Sequence, residues 1–326
     1  MRKLIITIVA FLLLAAAAGY WWSGQPLALK QPVIDLQVKQ GDGAQQISAS
    51  AVQAGVDTPS WLLDLWLRIG GRMGNFKAGA YELKRGDTPR SFVNKLIKGE
   101  FAMRKVRIGE GWNIRQVRAA LAKAEALRHD TQDMSDEQLM EALGRSGHPE
   151  GMFFPDTYKY AKYSSDVELL KLAMRTMDRK LEAAWEGRDP ELPIKSPYDL
   201  LKLASIIEKE TGHSADRTQV AAVFSNRLKI GMRLQTDPTV IYGLGESFDG
   251  NLRRRDLESD TPYNSYTRAG LPPTPISMPG AASLAAAANP ADSKALYFVA
   301  RGDGTSQFSE TLTEHNRAVN KYIRGR

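Results

Sequence analysis

The feature that most constrains this chain is the run from Leu4 to Trp22, which is apolar or aromatic at every position except Thr7 and Gly19. As a helix rising 1.5 Å per residue it spans about 28 Å, close to the hydrocarbon thickness of a bilayer. Arg2 and Lys3 precede it, and positive charge on that flank keeps the N-terminus cytoplasmic. Tyr20, Trp21 and Trp22 stand where amphipathic rings would meet the headgroups on the far side. A cleaved signal peptide is the competing reading, since Leu4–Leu14 has the length of a signal core and Ala16-Ala17-Ala18 could be cut. On either reading everything after Gln25 is exported. The expected layout is therefore residues 1–3 in the cytoplasm, 4–22 across the inner membrane and 23–35 as a tether, with the bulk of the chain in the periplasm.

The chain beyond the tether is too long for one typical domain, and a composition of 43% hydrophobic and 25% charged residues is ordinary for globular material. We expect a membrane-proximal α/β region over 36–148 and a second domain over 149–326. The net charge of +7 favours anionic partners, whether nucleic acid, anionic lipid or a carboxylate-bearing polymer. The basic residues are scattered, however, and the longest run is Arg253-Arg254-Arg255. That pattern suits a solvated basic face, and no nucleic-acid partner is expected. There is no cysteine, which excludes disulfides, thiolate metal sites, a cysteine nucleophile and a lipid-modified cysteine.

A threefold echo runs through the first region. Val38-Lys39-Gln40-Gly41-Asp42 precedes Ala44–Ile47, Leu83-Lys84-Arg85-Gly86-Asp87 precedes Pro89–Leu96, and Val106–Gly111 precedes Ile114–Leu121. Each unit reads as a strand, a glycine turn with an acid, and a helix start whose first turn an Asp or Thr can cap. The segment Tyr81–Gly99 also resembles a LysM module, a small fold that binds the sugar backbone of peptidoglycan. Further on, helices are expected over Asp136–Leu143, Asp166–Trp185, from near Asp199, over Ala215–Leu228, Ala281–Ala288 and Leu312–Ile323, with a strand at Leu296–Ala300. After Arg233 the pattern turns irregular, and Thr261–Gly280 carries five prolines that stiffen a long loop.

Several chemistries can be set aside. The histidines at 129, 148, 213 and 315 lack metal-ligand spacing, and no Gly-x-Ser-x-Gly elbow, Ser-x-x-Lys pair or phosphate-binding glycine loop occurs. No metal and no cofactor are expected. Carboxylate acid/base chemistry remains, and Leu200–Thr211 is the place to look for it. On a helix, Leu200, Leu203, Ala204, Ile207 and Thr211 share one face. Glu208 lies about 40° from Ala204 at the edge of that face, and Glu210 lies near the other edge, about 160° from Glu208. A carboxyl held against apolar groups stays protonated to higher pH, as a general acid must. Periodicity does not choose between the two acids.

A set of linked motifs does choose. They are Pro149–Tyr158, Leu203-Ala204-Ser205-Ile206-Ile207-Glu208-Lys209-Glu210-Thr211, Val223–Leu228, Gly231–Gly243, Tyr263-Asn264-Ser265-Tyr266, Gly270–Pro273 with Pro275-Ile276, and Leu296–Val299. In this order they resemble the endolytic murein transglycosylase family, the MltG or YceG-like proteins, from the anchor to the C-terminus. The resemblance implies that Glu208 is the catalytic acid/base. It would protonate the glycosidic oxygen leaving N-acetylmuramic acid and then assist the sugar's own C6 hydroxyl, leaving a 1,6-anhydro end with no second protein carboxylate. It further implies peptidoglycan glycan strands as substrate, penicillin-binding synthases as partners, and an α+β fold in which a LysM-like module precedes a mostly helical, lysozyme-like catalytic domain. Gln235, Asn264 and Tyr266 are expected to bind sugar hydroxyls or N-acetyl groups. Asn226 and Arg227 fit structural roles as well as functional ones, Pro149–Tyr158 is expected to shape the domain entrance, and Asp237 before Pro238 reads as a turn-former. Two alternatives stand beside this reading: a hydrolytic muramidase with Asp237 or Asp256 activating water, and a non-catalytic glycan-binding scaffold.

Overall fold

A computed structural model describes residues 2–71 and 75–325. The fold is mixed α/β, with small two-stranded sheets and a larger helical part. In chain order the elements are α1 (Arg2–Trp22), β1 (Val33–Val38), α2 (Ala44–Ala54), α3 (Ser60–Gly71), β2 (Gly79–Lys84), α4 (Pro89–Lys98), β3 (Met103–Arg107), α5 (Ile114–Ala122), α6 (Asp136–Ala142) and β4 (Thr157–Ala161). Next come α7 (Asp166–Glu186), α8 (Pro197–Glu210), α9 (Arg217–Lys229), α10 (Asp237–Leu244), α11 (Arg254–Glu258), α12 (Ala281–Ala288), β5 (Tyr297–Ala300), β6 (Ser306–Ser309) and α13 (Leu312–Tyr322). The chain forms two compact units, the first over 1–104 with 125–127 and 159–164, the second over 105–124, 128–158 and 165–326. These units are drawn differently from the segments read off the sequence: residues 105–124 and 128–148 group with the second unit, and 159–164 with the first.

In the first unit, α1 is long and apolar enough to cross a membrane and buries none of its residues. Strands β1 and β2 are antiparallel, with Val33 opposite Lys84 and Val38 opposite Gly79. Alternation turns Ile34, Leu36 and Val38 inward, where they join Leu63, Leu67, Tyr81, Phe92 and Leu96. The two intervening helices complete a strand–helix–helix–strand unit from Val33 to Lys84, so Tyr81–Gly99 covers only its last strand and the helix beyond. Lys162 is buried against Asp35 at 2.6 Å and Glu82 at 3.3 Å, which ties the returning segment into this unit. The segment expected to be a tether is packed: Leu27 is buried and donates its N–H to the Asp87 carbonyl at 2.7 Å, and Leu29 forms a bridge with Val56.

The second unit is built around α8. This helix packs against α7, α9, α10 and α12, and its Leu200, Leu201, Leu203, Ala204, Ile206 and Ile207 are all fully buried. Each large aliphatic side chain removed from water in this way contributes about 1.5–3 kcal/mol, so the backbone that carries the acids is held firmly. The antiparallel pair β5 and β6 places Phe298 and Phe308 against the same core.

All three echo units do run from strand to turn to helix, β1 to α2, β2 to α4 and β3 to α5. Thr88 caps α4 by accepting the Ser91 N–H, and Asn113 caps α5 by accepting that of Gln116. The stretch after Arg233 is more ordered than expected, since α10 and α11 form there. Asp237-Pro238, expected as a turn, instead opens α10, because a proline in the first helical turn lacks only an N–H that would have no partner there.

Candidate active site

Helix α8 starts cleanly because Ser196 accepts the Asp199 N–H at 3.1 Å, Pro197 occupies the first turn, and Asp199 faces the positive helix end. It stops at Thr211, whose backbone is extended. Glu208 therefore lies in the last turn, at the rim of the buried face, and is partly exposed. Its Oε2 accepts the Gly280 N–H at 2.9 Å, and no other hydrogen bond holds the carboxyl among the described residues. Gly280 is the N-cap of α12. The other wall is the turn before α5, where the Gly111 N–H donates to the Met278 carbonyl at 2.9 Å and the Met278 N–H to that of Trp112 at 2.6 Å. A methyl group on Gly111 would lie 3.9 Å from Glu208 Cγ, so this turn borders the catalytic candidate directly.

That turn also brings a second carboxylate. A Cβ on Gly280 would fall 2.0 Å from Glu110 Oε1, so Glu110 lies across the same glycine whose N–H binds Glu208. In the other two echo units the equivalent acids close their own turns: Asp42 accepts the Lys39 N–H and Asp87 the Lys84 N–H, each at 2.7 Å, Asp87 also pairing with Lys95 of the following helix. Glu110 makes no such bond and reaches out of its turn. Repeat position was the only signal that could have singled it out.

Beneath the turn is a third acid. Glu150 is fully buried, accepts the Ile114 N–H on both oxygens at 3.2 and 3.1 Å, and receives the Tyr242 hydroxyl at 3.0 Å. Burial pushes its carboxyl up to about 7, although those donors pull the other way. The loop that carries it needs Gly151, whose φ is +81° and whose Cβ would lie 2.5 Å from Pro275. Glu150 thus fixes the start of α5, and with it the turn that borders Glu208. Its partners are 36 and 92 residues away in sequence, which is why the motif Pro149–Tyr158 reads only as an entrance before the fold is seen.

A cleft of about 360 Å³ opens beside these groups, between the start of α5 and one side of α10. Gly111, Arg115, Lys209, Pro238, Ile241 and Tyr242 are among its lining, a mixture of cations and apolar surface.

The other predicted residues gather on the Glu210 side of α8. Glu210 accepts the Thr236 hydroxyl, and burial raises its pKa, with the neighbouring Asp237 adding to the effect. Gln235 is exposed and holds a left-handed backbone at φ +48°, pinned by its N–H to the Ser265 carbonyl at 3.1 Å. The Tyr266 hydroxyl donates to Asp237 at 2.6 Å. Asn264 is fully buried, and its amide nitrogen donates to the carbonyls of Asp256, Leu257 and Ser259. Its side chain is thus spent on the loop's own frame. Asn226 and Arg227 are likewise committed to carbonyls, Asn226 to Ser293 and Ala295, Arg227 to Leu296 and Leu234. Asp256 accepts the Arg253 N–H at 2.9 Å, capping α11.

A partly exposed carboxyl at the rim of a buried helix, beside a cleft of cationic and apolar surface, is a candidate for acid/base chemistry. Residues 36–321 match the model of the YceG-like family, and the chain belongs to that family. The endolytic murein transglycosylase of Bacillus subtilis (strain 168) is 32% identical over 308 residues, covering 89% of this chain and 85% of that protein. A protein of the same name from Streptococcus pneumoniae serotype 2 is 25% identical over 364 residues, covering 99% of this chain and 65% of that protein. Among solved structures, a yceG-like protein from Listeria monocytogenes matches with a TM-score of 0.55 and 31% identity, over 88% of this chain and 98% of that one.

Proposed function

We propose that this chain is an endolytic peptidoglycan lytic transglycosylase that cuts the β-1,4 bond between N-acetylmuramic acid and N-acetylglucosamine, with Glu208 as the acid/base. The observation that carries this reading is the setting of Glu208: one backbone N–H orients it, its other oxygen is left for substrate, and the cleft begins at its neighbours Lys209 and Gly111. A protonated Glu208 gives its proton to the glycosidic oxygen as that bond breaks. The resulting carboxylate then takes the proton of the C6 hydroxyl while that oxygen closes on the anomeric carbon. The residue ends protonated and ready for the next cycle, and the product carries a 1,6-anhydro end.

Lys209 and Arg115 suit the carboxylates of peptidoglycan, and the apolar side of α10 suits sugar ring faces. Gln235 and Tyr266 are proposed as further sugar contacts near the start of α10, since an exposed amide in a strained backbone is a feature that ligand sites retain. Asn264 contributes by holding the loop that carries Tyr266. The LysM-like segment Tyr81–Gly99 is proposed to bind glycan, and residues 149–326 to form a lysozyme-like catalytic domain. Leu4–Trp22 anchors the chain in the inner membrane, Arg2 and Lys3 hold its start in the cytoplasm, and the remainder works in the periplasm. There it would end the elongation of nascent strands beside penicillin-binding synthases.

A hydrolytic muramidase is the second reading worth testing, because Glu110 borders the same glycine as Glu208 and could activate a water. Mass spectrometry of digested glycan strands separates the two. Anhydro ends, one water lighter than reducing ends, are expected; ordinary reducing ends would overturn the transglycosylase assignment.

A further inference from the structure

Helix α3 presents three surfaces where an ordinary surface helix has two. At 100° per residue, Leu63, Leu67 and Gly70 form the buried face, and Asp64 and Arg68 form a narrow polar edge closed by an ion pair of 2.8 Å. The remaining arc holds Trp61, Leu65, Ile69, Leu62 and Trp66. Trp61 is 68% exposed, Leu65 49% and Ile69 47%. Three large apolar side chains at successive i, i+4 positions, all pointing to solvent, are a contiguous patch that a soluble surface would not keep.

This patch adjoins the end of α1. An apolar hollow of about 450 Å³ is lined by Ala15, Gly19 and Tyr20 of α1 and by Leu62, Leu65 and Ile69 of α3. Trp22 meets Trp66 edge to face, with ring centres 6.5 Å apart. Ala15 lies about 10 Å along α1 from Trp22 at 1.5 Å per residue. If α1 spans a bilayer with Trp22 at the headgroups, the apolar face of α3 reaches down to the outer part of the acyl chains. That is the depth at which amphipathic helices lie in an interface. The placement is fixed rather than tethered. Arg90 stacks over the Tyr20 ring at 4.2 Å and donates to the Tyr20 carbonyl at 3.2 Å and the Ser23 hydroxyl at 3.1 Å. Continuity with α1 therefore selects the occupant of the patch.

We propose that the outer face of α3 is a membrane-docking surface, seated in the bilayer leaflet into which the C-terminal end of α1 emerges. The proposal rests on the reading of α1 as an uncleaved anchor. Lipid fills the hollow between the two helices, and the first unit rests on the bilayer instead of swinging on a tether. Its glycan-facing surfaces are then confined to strands close to the membrane.

The chain has no cysteine, so single cysteines carrying a nitroxide report their surroundings without interference. Leu65→Cys and Ile69→Cys, with Leu12→Cys as the anchor control and Arg85→Cys as the solvent control, would be placed in the full chain. The variants are reconstituted in vesicles of phosphatidylethanolamine and phosphatidylglycerol, and collision with oxygen and with a polar nickel chelate is read by spin resonance. Labels at 65 and 69 should lose nickel collisions several-fold relative to 85 and gain oxygen collisions, as at 12. If 12 is lipid-shielded while 65 and 69 collide with nickel as 85 does, the docking surface is wrong and the anchor stands. Shielding of 65 and 69 from both reagents would mean a protein partner and would equally overturn it. Nickel access at 12 itself would sink the anchor reading and this one together.

Discussion

Glu208 and Glu210 stand two residues apart on one helix, and their surroundings are opposites. Glu210 is enclosed: Thr236 donates to it, Asp237 and Arg227 sit close enough to affect its charge, and burial raises its pKa. Glu208 is held by a single backbone N–H, with a cleft beside it. An acid enclosed by protein partners has little freedom to exchange a proton with a substrate. One that is oriented but left open on one side can do so. Environment, not position on the apolar stripe, separates the two.

The largest expected effect tests that distinction. Glu208→Gln keeps the shape and can still accept the Gly280 N–H, but it cannot transfer a proton. Cleavage of glycan strands should fall by at least about 10² to 10⁴, with thermal stability and glycan affinity nearly unchanged. Glu210→Gln still accepts from Thr236 and should cost much less activity. Comparable losses in the two variants would erase the contrast, and retained activity in Glu208→Gln would remove Glu208 from the mechanism.

Glu150 is buried more deeply than either. Its folded-state pKa is raised to about 7 from an ordinary 4.5. Below 4.5 both folded and unfolded chains hold the proton, so burial costs nothing there. Between 4.5 and 7 the unfolded chain releases the proton while the folded one keeps it, so stability falls as pH rises and then levels off above 7. The loss is on the order of 3 kcal/mol at most. Glu150→Gln removes the ionisation, and denaturant titrations across pH 4 to 8 should show that decline flattened. An unchanged slope would mean that Glu150 is already ionised in its pocket.

Much of this architecture was legible in the residues. Asp166–Trp185 reads as a helix because a capping serine and helical periodicity agree, Ala281–Ala288 because alanine is the strongest helix former, and the α8 sequence puts its two acids on opposite edges of one stripe. The failures share a cause, which is contact with residues distant in the chain. Leu27 looks like tether until the Asp87 carbonyl accepts its N–H, and Asp237-Pro238 looks like a turn until the helix beyond it is packed against α8. Within the site, the position of Glu208 was readable and its company was not. Glu110 and Gly280 are 170 residues apart in sequence, and only folding brings them together.

Gly280→Ala probes that company with a smaller change. The backbone at 280 has φ −79°, which alanine adopts without strain, and the nearest conflict is with Glu110. The clashing atoms are the end of a flexible side chain, and Glu110 should swing away while the N–H to Glu208 persists. We expect a several-fold drop in cleavage rate, well short of that in Glu208→Gln, with the melting temperature little changed. Glu110→Ala should match it. Full activity in both would show that the second carboxylate is a bystander.

The smallest effect is expected at Tyr266, on the Glu210 side. Its hydroxyl donates to Asp237, whose carboxylate lies in the first turn of α10. That carboxylate is exposed and already favoured by the helix end, so water can replace the phenol at little cost. Tyr266→Phe should therefore lower stability by no more than about 1 kcal/mol. The informative readout is the split between KM and kcat on glycan strands. If Tyr266 binds sugar in the ground state and the transition state alike, KM rises while kcat stays at the parent value. A drop in kcat alone would place the tyrosine with Glu208 in the chemistry. Unchanged kinetics with lowered stability would make it, like Asn264, part of the frame, and would leave Gln235 as the remaining candidate on that side.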